Sequence, residues 1–269
     1  MEAFREWVMK LPTGPWFAWV QFGDPARPLP LTIPEGGRET TQARPGAAGP
    51  LERPPSWASE AERLRPAEDW VRGYIQSLRQ VDASIGGMLQ VLAARGELAR
   101  TMIFVVGDSG QTLLDASVDR EGPGLLAERA LHVPWIVVGP GIGADAIPGP
   151  CSLVDVFPTI LGLVGMTGER SAEGEDLSRY LVDRRGVPRP PHSGPVFAET
   201  SSDSARTRER VVRLGSWKLL RGADGRERLF IVGEQGNEGE ITQPRGRQER
   251  LRQQLSDILS RRRSRDPRS

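Results

Sequence analysis

The stretch IFVVGDSGQTLLDA, Ile103–Ala116, passes from an uncharged apolar run directly into Asp108, Ser109 and Gly110. An apolar run of this length, closed by Gly, reads as a strand buried on both faces, the kind found in parallel sheets. Val133–Val138 repeats the pattern, again followed by a Gly-rich turn, and a short helical piece around Leu125–Leu131 lies between. Upstream, Trp16–Phe22 (WFAWVQF) follows the breaker Thr13-Gly14-Pro15 and is a third such run. A helix is expected to open at Pro66, with Glu68 and Asp69 in its first turn. Trp70, Tyr74, Leu78, Val81, Ile85, Met88, Leu89 and Leu92 recur along it at helical spacing, and Gly96 closes it. Another helix covers about Asp155–Val164, with Ser152 or Asp155 to cap it and Pro158 near its start. Strands alternating with helices predict an α/β fold with a mostly parallel sheet flanked by helices.

After about Pro191 the pattern changes. Val196–Glu199, Glu209–Leu214, Lys218–Arg221 and Glu227–Val232 read as short strands, the middle pair joined by Gly215-Ser216, and a polar helix from about Arg247 to Leu259 follows. The expected organisation is therefore an α/β domain over 1–192, a C-terminal antiparallel subdomain over 193–260 and a basic tail over 261–269. Residues 25–66 hold nine Pro and four Gly, which predicts a long irregular excursion within the first domain.

Lys and Arg number 36 against 35 Asp and Glu, so no global field points to nucleic acid. No apolar segment approaches membrane-spanning length. Residues 1–12 alternate apolar and charged positions rather than forming a signal peptide, so a cytoplasmic location is expected. Cys151 is the single cysteine, which excludes an intrachain disulfide and a multi-cysteine zinc site.

Four segments in order resemble the sulfatase family of the alkaline-phosphatase superfamily: PWFAWVQFGDP, then YIQSLRQVDASIGGMLQVLAARG leading into TMIFVVGDSG, then LLAERALHVPWIVVGPG followed by CSLVDVFPTILGLVG, and VVRLGSWKLLRG with ERLFIV. The resemblance covers the later part of a sulfatase. It implies sulfuric ester hydrolysis, in which a hydrated formylglycine attacks sulfur and a divalent cation, commonly calcium, stabilises the sulfate oxygens. The nucleophile motif Cys/Ser-x-Pro-x-Arg has no counterpart in these 269 residues; Ser193-Gly194-Pro195 comes nearest, with Phe197 in place of the Arg. The family also places an Asp and then a His or Asn at the end of the strand that ends here in Gly107, and both bind the cation. Asp108 matches the first, and Ser109 stands at the second. Where the family has a His after the first strand, this chain has Ala26, and the Lys expected before LLAERALHVP is missing from Glu121–Gly124.

Ser109 admits a second reading, since a nucleophile elbow needs Gly-x-Ser-x-Gly between strand and helix. Gln111 occupies the last Gly position, although Asp155 and His192 follow in the order Ser, Asp, His. His192 lies in RPPHSGP, a linker-like stretch. Cys151 is read as a small buried residue, His132 as a structural histidine, and Trp16, Trp19, Trp70 and Trp135 as core packing. No catalytic residue is assigned; Asp108 is the metal candidate. Three functions stay open beside an inactive sulfatase-like chain: the second half of a split metal-dependent sulfatase or phosphatase, a non-catalytic binding module, and a serine hydrolase using Ser109. The expected partner is a complementing first-half polypeptide or a second copy.

Overall fold

The computed structural model describes residues 2–11, 14–23, 60–110, 126–144, 146–166, 173–182, 192–200, 209–233 and 236–261, with the backbone alone for 60–70. The Pro/Gly-rich excursion up to residue 59, positions 24–26, 121–124 and the tail beyond Arg261 lie outside these residues. Two compact units divide the chain, Met1–Thr101 and Met102–Ser269. Among the described residues no helix is long and apolar enough to cross a membrane.

In the first unit, α1 (Glu2–Lys10) buries Val8. Its last carbonyls have no partner within the helix. Arg95 supplies one: its guanidinium donates to Val8 O and, at 2.7 Å, to Leu11 O. The long helix α2 (Glu60–Ala94) carries that arginine just past its end. It opens six residues before Pro66, because Glu60–Arg65 consists of good helix formers that extend it N-terminally. Its closure is as expected: Gly96 takes φ +73°, with Gly96 N–H on Ala93 O and Glu97 N–H on Leu92 O, both at 2.9 Å. The predicted apolar stripe is only partly covered; Leu92 is buried, whereas Leu78 is exposed.

Trp16–Phe22 is not a strand. Trp16 stacks edge-on against Trp7 at 5.9 Å, while Phe17 and Trp19 are 67% and 78% exposed. An apolar run has the potential for burial, but a strand needs a hydrogen-bonded neighbour, and none pairs with this one among the described residues. The core role expected of Trp19 is thereby overturned.

The second unit begins with β1 (Ile103–Val106), followed by α3 (Glu128–Leu131) and β2 (Trp135–Val138). The two strands pair antiparallel, Ile103 opposite Val138 and Val106 opposite Trp135, which corrects the expected parallel arrangement. An apolar run does not encode the direction of its neighbour, which is set by backbone hydrogen bonds to a distant segment. Here those bonds continue past the strand end, with Gly107 N–H on Pro134 O at 2.9 Å and Gly110 N–H on Ala130 O at 2.8 Å. Double burial also fails, since Ile136 and Val138 are about half exposed.

Next, a 3₁₀ turn at Leu153–Asp155 leads into α4 (Val156–Leu163), with Pro158 in its first turn as anticipated. The short helix α5 (Ser178–Leu181) follows; just before it, Leu177 is fully buried and its N–H binds Thr159 Oγ1 at 3.0 Å.

Five strands then form an antiparallel meander in chain order: β3 (Val196–Glu199), β4 (Arg210–Leu214), β5 (Trp217–Arg221), β6 (Glu227–Val232) and β7 (Glu238–Ile241). Gly215-Ser216 joins β4 to β5, as the sequence indicates. The strand β7, EGEI, carries two charges in four residues and gave no strand signal. Alternation separates two faces. Val212, Leu219 and Leu229 pack with Leu255 and Leu259 of α6 (Arg247–Arg261), and Val211, Leu220 and Phe230 pack with Leu126 on the other side.

That second face also buries charge. The ammonium of Lys218 is enclosed and donates to Leu126 O and to Glu238, and Glu128 lies at 3.8 Å. Glu128 is itself buried, pairs with Arg213, and donates its N–H to Glu238 Oε1 at 2.8 Å. Burial pushes Lys218 below the ordinary lysine value, although the Glu238 carboxylate opposes that shift. Breaking such a pair from one side leaves the buried Lys218 ammonium with only the more distant Glu128, which is already paired with Arg213. Glu238→Ala is expected to cost about 3–5 kcal/mol in a denaturant melt. Lys218→Met combined with Glu238→Leu should cost much less, because no charge is then stranded.

Candidate functional site

The turn after β1 is built by close backbone approach. A Cβ on Gly110 would fall 2.4 Å from Arg129 O, so only glycine fits where the chain passes the end of α3. A Cβ on Gly107 would meet side chains less severely, at 3.0 Å from Val133 and 3.1 Å from Pro134. With both glycines fixed against the return segment, Asp108 and Ser109 project outward and are exposed. Ser109 Oγ lies 3.4 Å from Asp108 Oδ1, a long contact between neighbours.

This donor set does not fit a calcium or magnesium site. Such a cation takes six or more oxygens, and the turn offers one carboxylate and one hydroxyl. No group of three or more His, Cys, Asp or Glu side chains positioned to hold a metal ion occurs among the described residues. The family positions at Ala26 and Glu121–Gly124 fall outside them.

The alternative triad does not assemble. Asp155 is buried, and its carboxylate is consumed by backbone: Oδ2 accepts the Ser152 N–H at 2.9 Å and Oδ1 the Glu175 N–H at 2.8 Å. With Ser152 it forms a capping box on the 3₁₀ turn that leads into α4, while its side chain makes no cap hydrogen bond to α4 itself. His192, expected in a linker, is instead 6% exposed. Its Nδ1 lies 2.6 Å from Pro150 O, its Nε2 is 3.2 Å from Glu175 Oε2, and Tyr180 packs edge-on at 6.3 Å. Both ring nitrogens therefore have partners other than Ser109. The flanking prolines suggested a linker, but a histidine with two partners can be buried as a clip between loops. The sequence held no signal for Glu175 as its partner.

Cys151 is half-buried, and its thiol is pushed up to about 11, mainly by burial, with the Asp155 and Glu175 carboxylates adding to the shift. A thiol of this kind stays protonated at neutral pH and is a poor nucleophile. His132 is exposed at the end of α3, in keeping with a structural role. Trp135 is half-buried, and its Nε1 has no hydrogen-bond partner. A cleft of about 400 Å³ on the C-terminal sheet is lined by Glu227, Arg228, Glu240 and Arg252. These charges are already matched, Arg228 with Glu240 at 2.6 Å and Arg252 with Glu227 at 2.5 Å, so a charged ligand would have to displace existing pairs.

With this geometry in view, the comparisons decide the family. The family model described as Sulfatase matches residues 1–166, more than half of the 269. The chain belongs to the sulfatase family. It is similar to arylsulfatase K of Danio rerio, 27% identical over 154 residues that make up 56% of this chain and 29% of that protein. It is also similar to choline-sulfatase of Rhizobium meliloti, 26% identical over 159 residues, 59% of this chain and 30% of that protein. Among solved structures, that of a protein in complex with its substrate D-glucosamine-2-N,6-O-disulfate matches with TM-score 0.61 at 20% identity, over 76% of this chain and 42% of that one. This likeness establishes the sulfatase fold. The sulfatase-family chain spans less than a third of the length of these curated relatives. Sulfatases generally use a divalent cation, and no metal site is shown among the described residues.

Two measurements separate structural from chemical roles at these residues. Asp155→Ala strips two part-buried backbone N–H groups of their acceptor and is expected to cost about 2–6 kcal/mol in a melt, at about 1–3 kcal/mol for each group left unpaired. Ser109→Ala, on the exposed turn, should stay within about 0.5 kcal/mol of the parent. For Cys151, a raised value means that the thiolate fraction, and with it alkylation by iodoacetamide, climbs about tenfold per pH unit from neutrality towards about 11. Negligible mass shift at pH 7.5 and rapid modification near pH 10.5 are the expected outcomes.

Proposed function

We propose that this sulfatase-family chain does not hydrolyse sulfate esters by itself, and that a further polypeptide completing the fold is needed for any catalysis it takes part in. The observation that carries the reading is the turn after β1, where Asp108 and Ser109, the pair that the resemblance aligns with two metal ligands, are both exposed. A hydroxyl is a weaker donor than imidazole or a carboxamide oxygen for a cation that is otherwise poorly surrounded. Lack of Cys/Ser-x-Pro-x-Arg within the 269 residues supports the same conclusion, because the family reaction begins at that nucleophile. Ala26 adds to it, since a methyl group can neither donate nor accept a proton.

Purified chain is therefore expected to release no 4-nitrophenol from the aryl sulfate or phosphate, with or without calcium, and Ser109→His should not restore turnover. Calorimetry should find calcium binding no tighter than about millimolar, in line with so few charged ligands. Activity above a no-protein control that vanishes in Asp108→Ala, or a micromolar calcium site lost in Asp108→Asn, would overturn the proposal. Ester hydrolysis lost in Ser109→Ala but indifferent to chelator would favour a serine hydrolase.

The need for a partner is supported by apolar surface left exposed among the described residues. Phe17, Trp19 and Val20 are exposed in a segment without charge, and FAWV carries no gatekeeper residue within it. Light scattering is expected to find self-association of the isolated chain, relieved by co-expression with a polypeptide carrying the first half of a sulfatase fold. A soluble monomer with a cooperative melt would instead favour a self-contained, non-catalytic module.

A further inference from the structure

We draw no further inference here: the strongest candidate, the outward apolar face of α4 and the turn after it, where Phe157, Val164 and Met166 are all more than half exposed, is an unpartnered surface, and nothing in the structure shows what covers it.

Discussion

Everything around the β1 turn follows from one steric constraint, the approach of Gly110 to the carbonyls at the end of α3. No side chain fits there, and the N–H of Gly110 is bound to Ala130 O at 2.8 Å. The same turn extends the antiparallel ladder of β1 with β2, in which Val106 lies opposite Trp135 and Gly107 N–H binds Pro134 O. The Gly110 contact turns Asp108 and Ser109 away from the return segment and into solvent.

The C-terminal sheet depends on a different balance. One face is a plain apolar interface with α6, while the other places Lys218, Glu128, Arg213 and Glu238 among apolar neighbours. Charges so enclosed contribute less to stability than apolar groups of equal size would, but they tolerate few alternative arrangements. Their effect is to fix how the segment at Leu126–Glu128 lies on the sheet. That segment leads directly into α3, so the position of the Gly110 contact is tied to the meander through adjacent residues.

The legibility of the sequence followed the range of the forces involved. Features set by local chemistry were readable: the glycine closure of α2, the Ser152–Asp155 cap, the two-residue turn at Gly215-Ser216, and the alternating strands of the meander. Failures came where the outcome depends on a distant neighbour. WFAWVQF has the composition of a buried strand, yet composition cannot say whether a partner strand lies beside it. Nor could the run IFVV reveal its pairing direction, which depends on hydrogen bonds to the distant segment Trp135–Val138. His192 was misread because prolines around it suggested a linker, whereas its burial rests on Glu175, seventeen residues away. β7 was hidden by its two glutamates, one of which is the counterion of Lys218 and the other that of Arg228. The candidate site itself was legible only as residue types at a strand end, because those types show neither exposure nor the number of donors that converge.

The order of strands in the meander has a kinetic consequence. β3 to β7 lie side by side in the same sequence as along the chain, so each pairing closes a short loop and loses little chain entropy. Sheets assembled from near neighbours form faster than those that must bring remote segments together. Residues 196–241, capped by α6, can therefore reach their native arrangement early, and the Leu126–Glu128 segment then docks onto a surface that already exists.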